Sequence, residues 1–458
     1  MEKRQITAEV SEFIERTEIS QMPAHVIQTA KLLVTDFLGV ATAGSKETPA
    51  KIIQELTKEQ GLNNDATIIG SAYKAHPTLS SLANGISGHI LDFDDVSQPM
   101  YGHPTVAVLP AALALGEMLD VDGSSLLESY IIGLEVAVKL SYVMNPAHYE
   151  HGWHSTCTLG SLGSAAASAK LLGLEGEQLR SALAIAASQA SGFQQNFGTM
   201  TKPFHAGRAA ENGVLAALLA HKGWTGNQNI LEAPLGFFHL FGAPDEYDAE
   251  KVVDQLGNPF EMEHRGIILK KYPSCAFSHP VIDATMAITQ DPQYHPAEVD
   301  RAEGHIHELA DQILIYRHPQ TGLEAKFSME ACLALALVDR EVGMKSFTDD
   351  KIGTKKVKEM MARVKRHILS EERKGPEEFG PARVRVVMKG GKVLEASVEK
   401  AKGNPENPMS PQEIQDKYVN CCSGVLTEKD IEKSVSILQN LETLSSLSQM
   451  MECYRTVG

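Results

Sequence analysis

Three basic side chains, Lys202, His205 and Arg208, lie close together in the sequence TMTKPFHAGR, residues 199–208. An alanine-rich helical pattern follows over residues 209–220. The first turn of a helix presents unpaired backbone N–H groups and the positive end of the helix dipole, and both favour anions. The stretch therefore predicts a binding site for a carboxylate or a phosphate. A solvated loop with a chance grouping of charges is the alternative.

A second group of ionisable residues combines carboxylates with a histidine. Asp92, Asp94 and Asp95 are neighbours in the sequence, and His103 follows about ten residues later. Adjacent carboxylates repel one another, which raises at least one pKa unless cations are near. A carboxylate that orients an imidazole is a common arrangement for acid–base catalysis. An acidic surface loop and a divalent-cation site are the alternatives.

Two further groups contain histidine, lysine and cysteine. His151 and His154 are a weak metal signal, because a zinc-binding helix usually places two histidines four residues apart. One of them could still face a cleft. Lys270 and Cys275 lie in the sequence KKYPSC, near a predicted domain boundary where pockets often form. They are candidates for substrate binding, and the alternative for Cys275 is a small buried apolar residue.

Composition restricts the class of protein. The formal net charge of the 458 residues is −16, which argues against a nucleic acid or an anionic membrane as the partner. The six cysteines include no CxxC pair, so we expect free thiols, a cytoplasmic location and no iron–sulfur cluster. The charged amino terminus predicts no secretory signal. Phosphate-loop, dinucleotide-binding and G-x-S-x-G sequences are absent from the chain.

The elements that must position these residues are mostly helical in the first half of the chain. Up to about residue 255, Ala, Leu, Gly and Ile recur at helical spacing, and β-branched alternation is nearly absent. The many Ala and Gly positions predict helices whose backbones lie close together. The predicted helices cover residues 24–43, 106–119, 123–143, 159–172, 177–191 and 208–221.

The pattern changes after residue 258. Strand-like alternation covers residues 304–309, and a hairpin is predicted from residues 382–388 and 393–398 with a Gly-Gly turn. Helical patterns occupy residues 326–341, 355–368, 411–420 and 428–448. We therefore predict a mainly α fold, with a large all-helical domain built from both chain ends and a smaller α+β domain. The predicted ranges are 1–265 with 404–458 for the helical domain, and 266–403 for the α+β domain.

Several motifs resemble those of the MmgE/PrpD family, in the same order and over nearly the whole chain. They are Asp92-Phe93-Asp94-Asp95, His103-Pro104, Gly160-x-x-Gly163-Ser164-Ala165-Ala166-Ala167, Thr201-Lys202-Pro203-x-His205-Ala206-Gly207 and Lys270-x-Tyr272-Pro273. The resemblance implies a helical domain with an α+β lid, a homodimer, and no metal or organic cofactor. Activities in this family are dehydration of 2-methylcitrate, decarboxylation of cis-aconitate and epimerisation of iminodisuccinate. The TKPxHAG motif is more similar to that of the decarboxylases.

The resemblance also implies roles for individual residues. Asp92, His103, His154 and Lys202 would be catalytic, and Lys270 would bind a substrate carboxylate. The two histidines would transfer protons, and Asp92 would orient one imidazole.

Two positions depart from the decarboxylase pattern. Val96 replaces a threonine, and Cys275 replaces a histidine. A thiol cannot carry a positive charge, and its proton-transfer behaviour differs from that of an imidazole. We predict that Cys275 binds substrate together with His205 and Arg208.

We therefore predict a cofactor-independent lyase of the cis-aconitate decarboxylase type, acting on a small di- or tricarboxylate, with no nucleic-acid or membrane partner. Dehydration and epimerisation are alternatives, since all three reactions share a carbanion-like intermediate that fixed positive charge stabilises. A non-catalytic carboxylate-binding scaffold is a further alternative. So is a metal-dependent hydratase that uses Asp92, Asp94, Asp95 and His103.

Overall fold

The computed structural model describes residues 4–242, 249–264, 266–369 and 380–456. The described residues form 22 α-helices and six β-strands, which confirms the predicted mainly α fold. Residue 265, where the predicted domain boundary falls, lies outside the described residues, and the division into two domains stays a prediction.

The bounds of the elements follow in chain order. The helices are α1 (Ile6–Arg16), α2 (Ala24–Gly44), α3 (Thr48–Gln60), α4 (Pro77–His89), α5 (Pro104–Leu119), α6 (Gly123–Met144), α7 (Ala147–Glu150), α8 (Ser155–Leu171), α9 (Gly176–Gln189), α10 (Thr201–His221), α11 (Phe237–Phe241), α12 (Glu250–Gln255), α13 (Glu261–His264), α14 (His279–Thr289), α15 (Glu308–Ile313), α16 (Gly322–Ala325), α17 (Met329–Asp339), α18 (Asp349–Gly353), α19 (Lys355–Met361), α20 (Pro411–Cys422), α21 (Glu428–Gln439) and α22 (Leu447–Met451). The strands are β1 (Ala66–Thr67), β2 (Lys74–Ala75), β3 (Val299–His307), β4 (Val364–Leu369), β5 (Ala382–Met388) and β6 (Val393–Val398).

Close backbone contacts between α4 and α10 organise the helical layer. Helix α10 packs against both α4 and α8, and α8 also contacts α5 and α6. A Cβ atom added to Gly207 of α10 would lie 2.3 Å from the carbonyl oxygen of Leu82 in α4. A Cβ atom on Gly85 would lie 2.6 Å from the Cα atom of Gly207. These glycines let two helices approach at backbone distance, as the small-residue pattern predicted.

The substitution Gly207→Ala is expected to destabilise the protein by about 1–3 kcal/mol, because the added methyl group meets main-chain atoms that cannot rotate away. It should also lower activity, since α4 and α10 both lead into the cavity described below. Thermal or urea unfolding measures the first effect. Gly353→Ala is the control, because no atom of the described residues lies within 4 Å of its added Cβ atom. Equal stability of the two variants would contradict this prediction.

The larger sheet has the strand order β4-β3-β5-β6, in which β3 and β4 are parallel and the other pairs are antiparallel. Helix α14 packs against β5 and β6, and α17 packs against α14 and β4. Val384 and Val386 of β5 are fully buried in the apolar core that these helices cover. This sheet and its helices form the α+β part of the chain.

The carboxyl-terminal helices pack against the amino-terminal part of the chain. Helix α20 lies on α2, where a Cβ atom on Gly39 would be 3.0 Å from the Cα atom of Tyr418. Tyr418 and Tyr454 are fully buried in the same core as Ile6. By length and composition, α2 alone among the described helices could cross a membrane, yet 67% of its apolar window is buried inside the protein.

Two predicted helices are wrong in part. Residues 355–368 form the short helix α19 followed by the strand β4, in which Ile368 lies opposite Ile306 of β3. Residues 428–448 are interrupted between the end of α21 and the start of α22. The local helical spacing of residues 355–368 was overridden because an adjacent strand offers backbone hydrogen bonds.

Candidate active site

One cavity, lined from both the helical layer and the α+β part, collects most of the predicted site residues. It holds roughly 450 Å³ of space, including its opening to solvent. Its lining comprises Asp92, Val96, Tyr101, Gly102, His103, Tyr149, His154, Phe197, Lys202, Lys270, Cys275, Ala276, Phe277, Ile313 and Phe327. Pockets with a few convergent polar groups on an apolar wall are typical ligand sites.

Helix ends place the polar groups of this cavity. His103 and His154 each immediately precede a helix, α5 and α8, and Lys202 lies in the first turn of α10. Three positive helix ends therefore lie near the cavity, and this arrangement favours an anionic ligand. The start of α10 at Thr201 also shows that the basic residues of this stretch lie within the helix, whereas the sequence pattern had placed them ahead of it.

Asp92 lies at the centre of the site and binds two lysines. Its Oδ1 atom accepts hydrogen bonds from the Nζ atoms of Lys202 at 3.0 Å and Lys270 at 2.8 Å. Burial alone would raise the pKa of this carboxyl, but the two ammonium groups outweigh burial and hold the pKa well below its usual range. Asp92 Oδ2 is buried without a hydrogen-bond partner among the described residues.

Each lysine keeps part of its donor capacity for a ligand. Lys202 donates to Asp92 and to His89 Nε2 at 2.8 Å, and Lys270 donates to Asp92 Oδ1 and to the Asp92 carbonyl oxygen at 3.0 Å. An ammonium group has three N–H donors. One N–H of each lysine is therefore left without a hydrogen bond in the described part of the chain, and both side chains line the cavity.

Asp94 is the carboxylate nearest to the His103 imidazole, which the sequence interpretation had placed beside Asp92. Asp94 Oδ2 lies 3.0 Å from His103 Nδ1, whereas Asp92 Oδ1 is 3.8 Å from His103 Nε2 and is already bound by two lysines. The geometry favours Asp94 over Asp92 as the neighbour of this ring, and the orienting role of Asp92 stays a prediction. With Nδ1 beside Asp94, the Nε2 atom of His103 is the ring nitrogen available to the cavity.

His89, which the sequence interpretation missed, connects Lys202 to Asp94. Burial lowers the pKa of His89 to about 3, against the opposing effect of Asp94, so the ring is neutral. Its Nε2 accepts from Lys202, and its Nδ1 lies 2.9 Å from Asp94 Oδ2. A neutral ring that accepts at Nε2 must carry its proton on Nδ1 and donate it to Asp94. The sequence signal that could have identified His89 is its position three residues before Asp92, at the end of α4.

His154 and His205 form a pair of neutral rings. Their Nδ1 atoms are 3.0 Å apart, so one ring donates and the other accepts. Burial, followed by the neighbouring His205, lowers the pKa of His154 well below its usual value, and burial lowers that of His205 to about 4. His154 lines the cavity, and the predicted substrate-binding residue His205 lies behind it.

Arg208 lies outside this cavity. Its side chain is 37% exposed and pairs with Glu211 at 2.7 Å on the same helix. Six residues along a helix amount to a rotation of about 600°, which turns Arg208 well away from Lys202. The geometry gives no support to the predicted substrate-binding role of Arg208.

Aromatic side chains form a wall of the cavity that the sequence interpretation did not find. Tyr101 and Tyr149 stack with ring centroids 5.1 Å apart, and Phe197 stacks on Phe327 at 5.7 Å. The Nζ atom of Lys202 lies 5.4 Å from the centroid of the Phe327 ring. These rings come from distant parts of the chain, so no local motif reports them.

The two positions that depart from the family pattern both line the cavity. Val96 is buried and forms a backbone bridge with Ile268. Burial raises the pKa of the Cys275 thiol to about 11, with a further contribution from Asp92. The thiol is therefore neutral near pH 7, and it can offer only a weak hydrogen bond to a substrate.

Four of these residues have side chains of the types that bind metals. The ligand atoms of His89, Asp92, Asp94 and His103 lie within 4.8 Å of one another. Two of these potential ligands are already bound by ammonium groups, through the hydrogen bonds of Lys202 and Lys270 given above. A metal ion would be repelled by these lysines, so the donor set fits the two ammonium groups better than a metal cation.

Comparison with known protein families identifies the family of this chain. The model of the MmgE/PrpD N-terminal domain matches residues 8–250, and that of the MmgE/PrpD C-terminal domain matches residues 272–443. The chain belongs to the MmgE/PrpD family.

Curated relatives of this MmgE/PrpD protein span nearly the full chain. Cis-aconitate decarboxylase of Homo sapiens is 28% identical over 97% of this chain and 93% of its own length. The protein of that name from Mus musculus is 27% identical over 97% of this chain and 92% of its own. Cis-aconitate decarboxylase of Aspergillus terreus is 26% identical over 98% of this chain and 96% of its own length.

Proposed function

We propose that this MmgE/PrpD protein is a cofactor-independent lyase that decarboxylates cis-aconitate or a closely similar carboxylate. The observation that carries the proposal is the buried arrangement of Lys202 and Lys270 on Asp92 within one cavity, beside a histidine whose Nδ1 atom lies 3.0 Å from Asp94. The names of the curated relatives support the choice of reaction.

Substrate binding would use the remaining N–H donors of the two lysines. Both ammonium groups are nearly buried and already oriented by Asp92, so little reorganisation is needed when a carboxylate arrives. The three nearby helix ends add to the positive potential. A di- or tricarboxylate fits this environment better than a neutral ligand.

The reaction needs one proton and no redox change. The C–C bond to one carboxylate of cis-aconitate breaks, carbon dioxide leaves, and the electron pair shifts through the double bond to the far carbon. That carbon, next to another carboxylate, carries carbanion character which the lysines stabilise. A proton is then added there, so that cis-aconitate and one proton give itaconate and carbon dioxide.

His103 is better placed than His154 to supply that proton. The imidazolium form of His103 would lie 3.0 Å from the carboxylate of Asp94, which stabilises it. His154 has another histidine as its Nδ1 partner. We therefore assign proton delivery to His103 Nε2, and hydrogen bonding of a substrate carboxylate to His154.

Dehydration or epimerisation is the second candidate, and one observation favours it. Both reactions begin with proton removal next to a carboxylate, which requires a neutral base. The pKa of His103 is lowered, first by burial, and that of His154 is lowered as well, so both rings are neutral near pH 7.

The pH dependence of kcat/KM is expected to distinguish the candidates, since kcat/KM reports the free enzyme. If His103 delivers a proton, kcat/KM rises as pH falls from 8.5 towards its lowered pKa, by up to about tenfold per pH unit, because only the protonated fraction reacts. If the histidine acts as a base, kcat/KM is level above that pKa and falls only below it. The variant His103→Gln is the control, because any pH dependence of kcat/KM that remains in it comes from ionisation of the substrate or of another group and not from His103.

A proton NMR time course with cis-aconitate in heavy water tests the proposal directly. The expected result is itaconate with one deuterium in its new methylene group, which marks the carbon that received the proton. An unchanged spectrum would contradict decarboxylation of cis-aconitate. The same assay with 2-methylcitrate would then test dehydration. Thermal stabilisation by these carboxylates without any turnover would favour the binding scaffold.

A further inference from the structure

Two buried lysines outside the cavity connect the same two stretches of backbone. We call residues 91–95 the aspartate segment and residues 268–273 the lysine segment. Lys326 Nζ donates to the carbonyl oxygens of Leu91 and, at 2.9 Å, Pro273. Lys417 Nζ donates to the carbonyl oxygens of Phe93 at 2.8 Å and Lys270 at 2.9 Å. Each lysine therefore bridges the aspartate segment and the lysine segment.

The two lysines come from different parts of the fold. Lys326 follows α16 in the α+β part, and Lys417 lies in α20 near the carboxyl terminus. Their exposed fractions are only 4% and 7%. Two distant elements thus converge from outside on the backbone that carries Asp92 and Lys270.

Burying an ammonium group costs free energy, which an ion pair and hydrogen bonds must offset. Lys417 has the carboxylate of Asp36 at 2.7 Å, but Lys326 forms no ion pair within the described residues. An unpaired buried charge is strongly disfavoured, and an apolar side chain of similar volume packs at lower cost. Burial accordingly lowers the pKa of Lys326 to about 8.

These lysines bind the backbone on both sides of a residue with an unfavourable conformation. Asp92 has a φ of 51°, in the left-handed region that a residue with a Cβ atom adopts unfavourably. The carbonyl groups of Leu91 and Phe93, which the two lysines bind, belong to the residues on either side of Asp92. Hydrogen bonds on both sides hold this conformation and fix the distance from Asp92 to Lys270.

We propose that Lys326 and Lys417 are positioning residues, which hold the aspartate segment and the lysine segment in register for the reaction. Their effect on turnover rests on the proposed function, whereas their effect on the backbone does not. The backbone amides of Val96 and Ile268 report that register, because each donates to the carbonyl oxygen of the other at 2.9 Å.

The experiment compares Lys326→Met and Lys417→Met with the matched control Lys139→Met. Lys139 is 1% exposed, pairs with Glu261 at 2.6 Å and donates to the carbonyl oxygen of Pro259. Among the described residues it does not line the cavity and forms no hydrogen bond or ion pair with either segment. Lys417→Met is made together with Asp36→Asn so that no buried carboxylate loses its partner. Hydrogen exchange of the Val96 and Ile268 amides, unfolding temperature and kcat are measured for each full-length variant.

The expected result is exchange at both amides at least about tenfold faster in the Lys326 and Lys417 variants, with kcat reduced about tenfold or more. Lys139→Met should lower the unfolding temperature without either effect. Unchanged exchange, or kcat losses that merely follow the unfolding temperature in all three variants, would overturn the proposal.

Two further measurements cover the cases in which the wild-type protein is inactive or a variant does not fold. If the wild-type protein turns over no carboxylate, the proposed function fails while the exchange data still decide the positioning role. If a methionine variant does not fold, Lys326→Gln or Lys417→Gln is measured in the same way, because its polar side chain is one atom shorter and is expected to lose at least one of the two bridging hydrogen bonds. Faster exchange at both amides supports the proposal in that variant, and unchanged exchange overturns it.

Discussion

Lys202→Met is expected to reduce kcat/KM by about 10²–10³-fold, the effect of removing one fixed electrostatic contact to a developing negative charge. The ammonium group donates to Asp92 Oδ1 and to His89 Nε2, and it lines the cavity. Its loss removes a positive charge from the place where the proposed reaction develops negative charge. It also raises the pKa of Asp92, since Lys202 is one of the two cations that hold this pKa low.

Steady-state kinetics with the substrate identified by NMR measure this effect, and thermal unfolding shows that the variant is folded. Arg208→Met is the matched control, because it removes a cation from the same helix where the side chain is 37% exposed and outside the cavity. We expect this control to stay within about twofold of the wild type, as for a surface ion pair. Turnover of Lys202→Met close to that of the wild type would remove Lys202 from the mechanism.

Asp94→Asn is expected to reduce kcat by about 10²–10⁴-fold, the usual contribution of a positioned proton donor or base. Asp94 lies 3.0 Å from His103 Nδ1 and 2.9 Å from His89 Nδ1. An amide is neutral, so it cannot stabilise the imidazolium form of His103. The amide N–H₂ group can also donate to a ring nitrogen and change which nitrogen carries the proton.

Asp95→Asn tests whether that loss is specific to the charge on Asp94. Burial raises the pKa of Asp95 well above its usual value, so its carboxyl group favours the neutral form. The amide keeps the shape and still accepts the hydrogen bond that Thr105 Oγ1 donates at 2.7 Å. We expect Asp95→Asn to retain most of the activity. If both variants lost activity equally, the charge on Asp94 would not be the cause.

Local patterns predicted the long helices well. Alanine and leucine at helical spacing, with glycine and proline at the ends, located α2, α5 and α6 to within a few residues. The Gly-Gly turn predicted the hairpin of β5 and β6. These features depend on neighbours in the sequence, which is why periodicity and turn residues identify them.

Strand β4 shows where such patterns fail. Residues 364–369 continue a helical pattern, and they form a strand because β3 provides an adjacent row of hydrogen-bonding groups. The chain reaches β3 only after more than 50 intervening residues fold back, as the pairing of Ile306 with Ile368 shows. A window of local sequence contains no information about that neighbour.

In the candidate site, too, some features follow from the sequence and others only from the tertiary structure. The motifs alone singled out Asp92, His103, His154, Lys202 and Lys270 as candidate site residues, because side-chain types and the family resemblance are properties of the sequence, and all five line one cavity. Only the tertiary structure decided that Asp94 lies beside His103, that His89 links Asp94 to Lys202, and that Arg208 points away. Those pairings depend on how helix ends and distant backbone carbonyls converge, and a hydrogen bond is set by distances of a few ångströms that spacing along the chain does not specify.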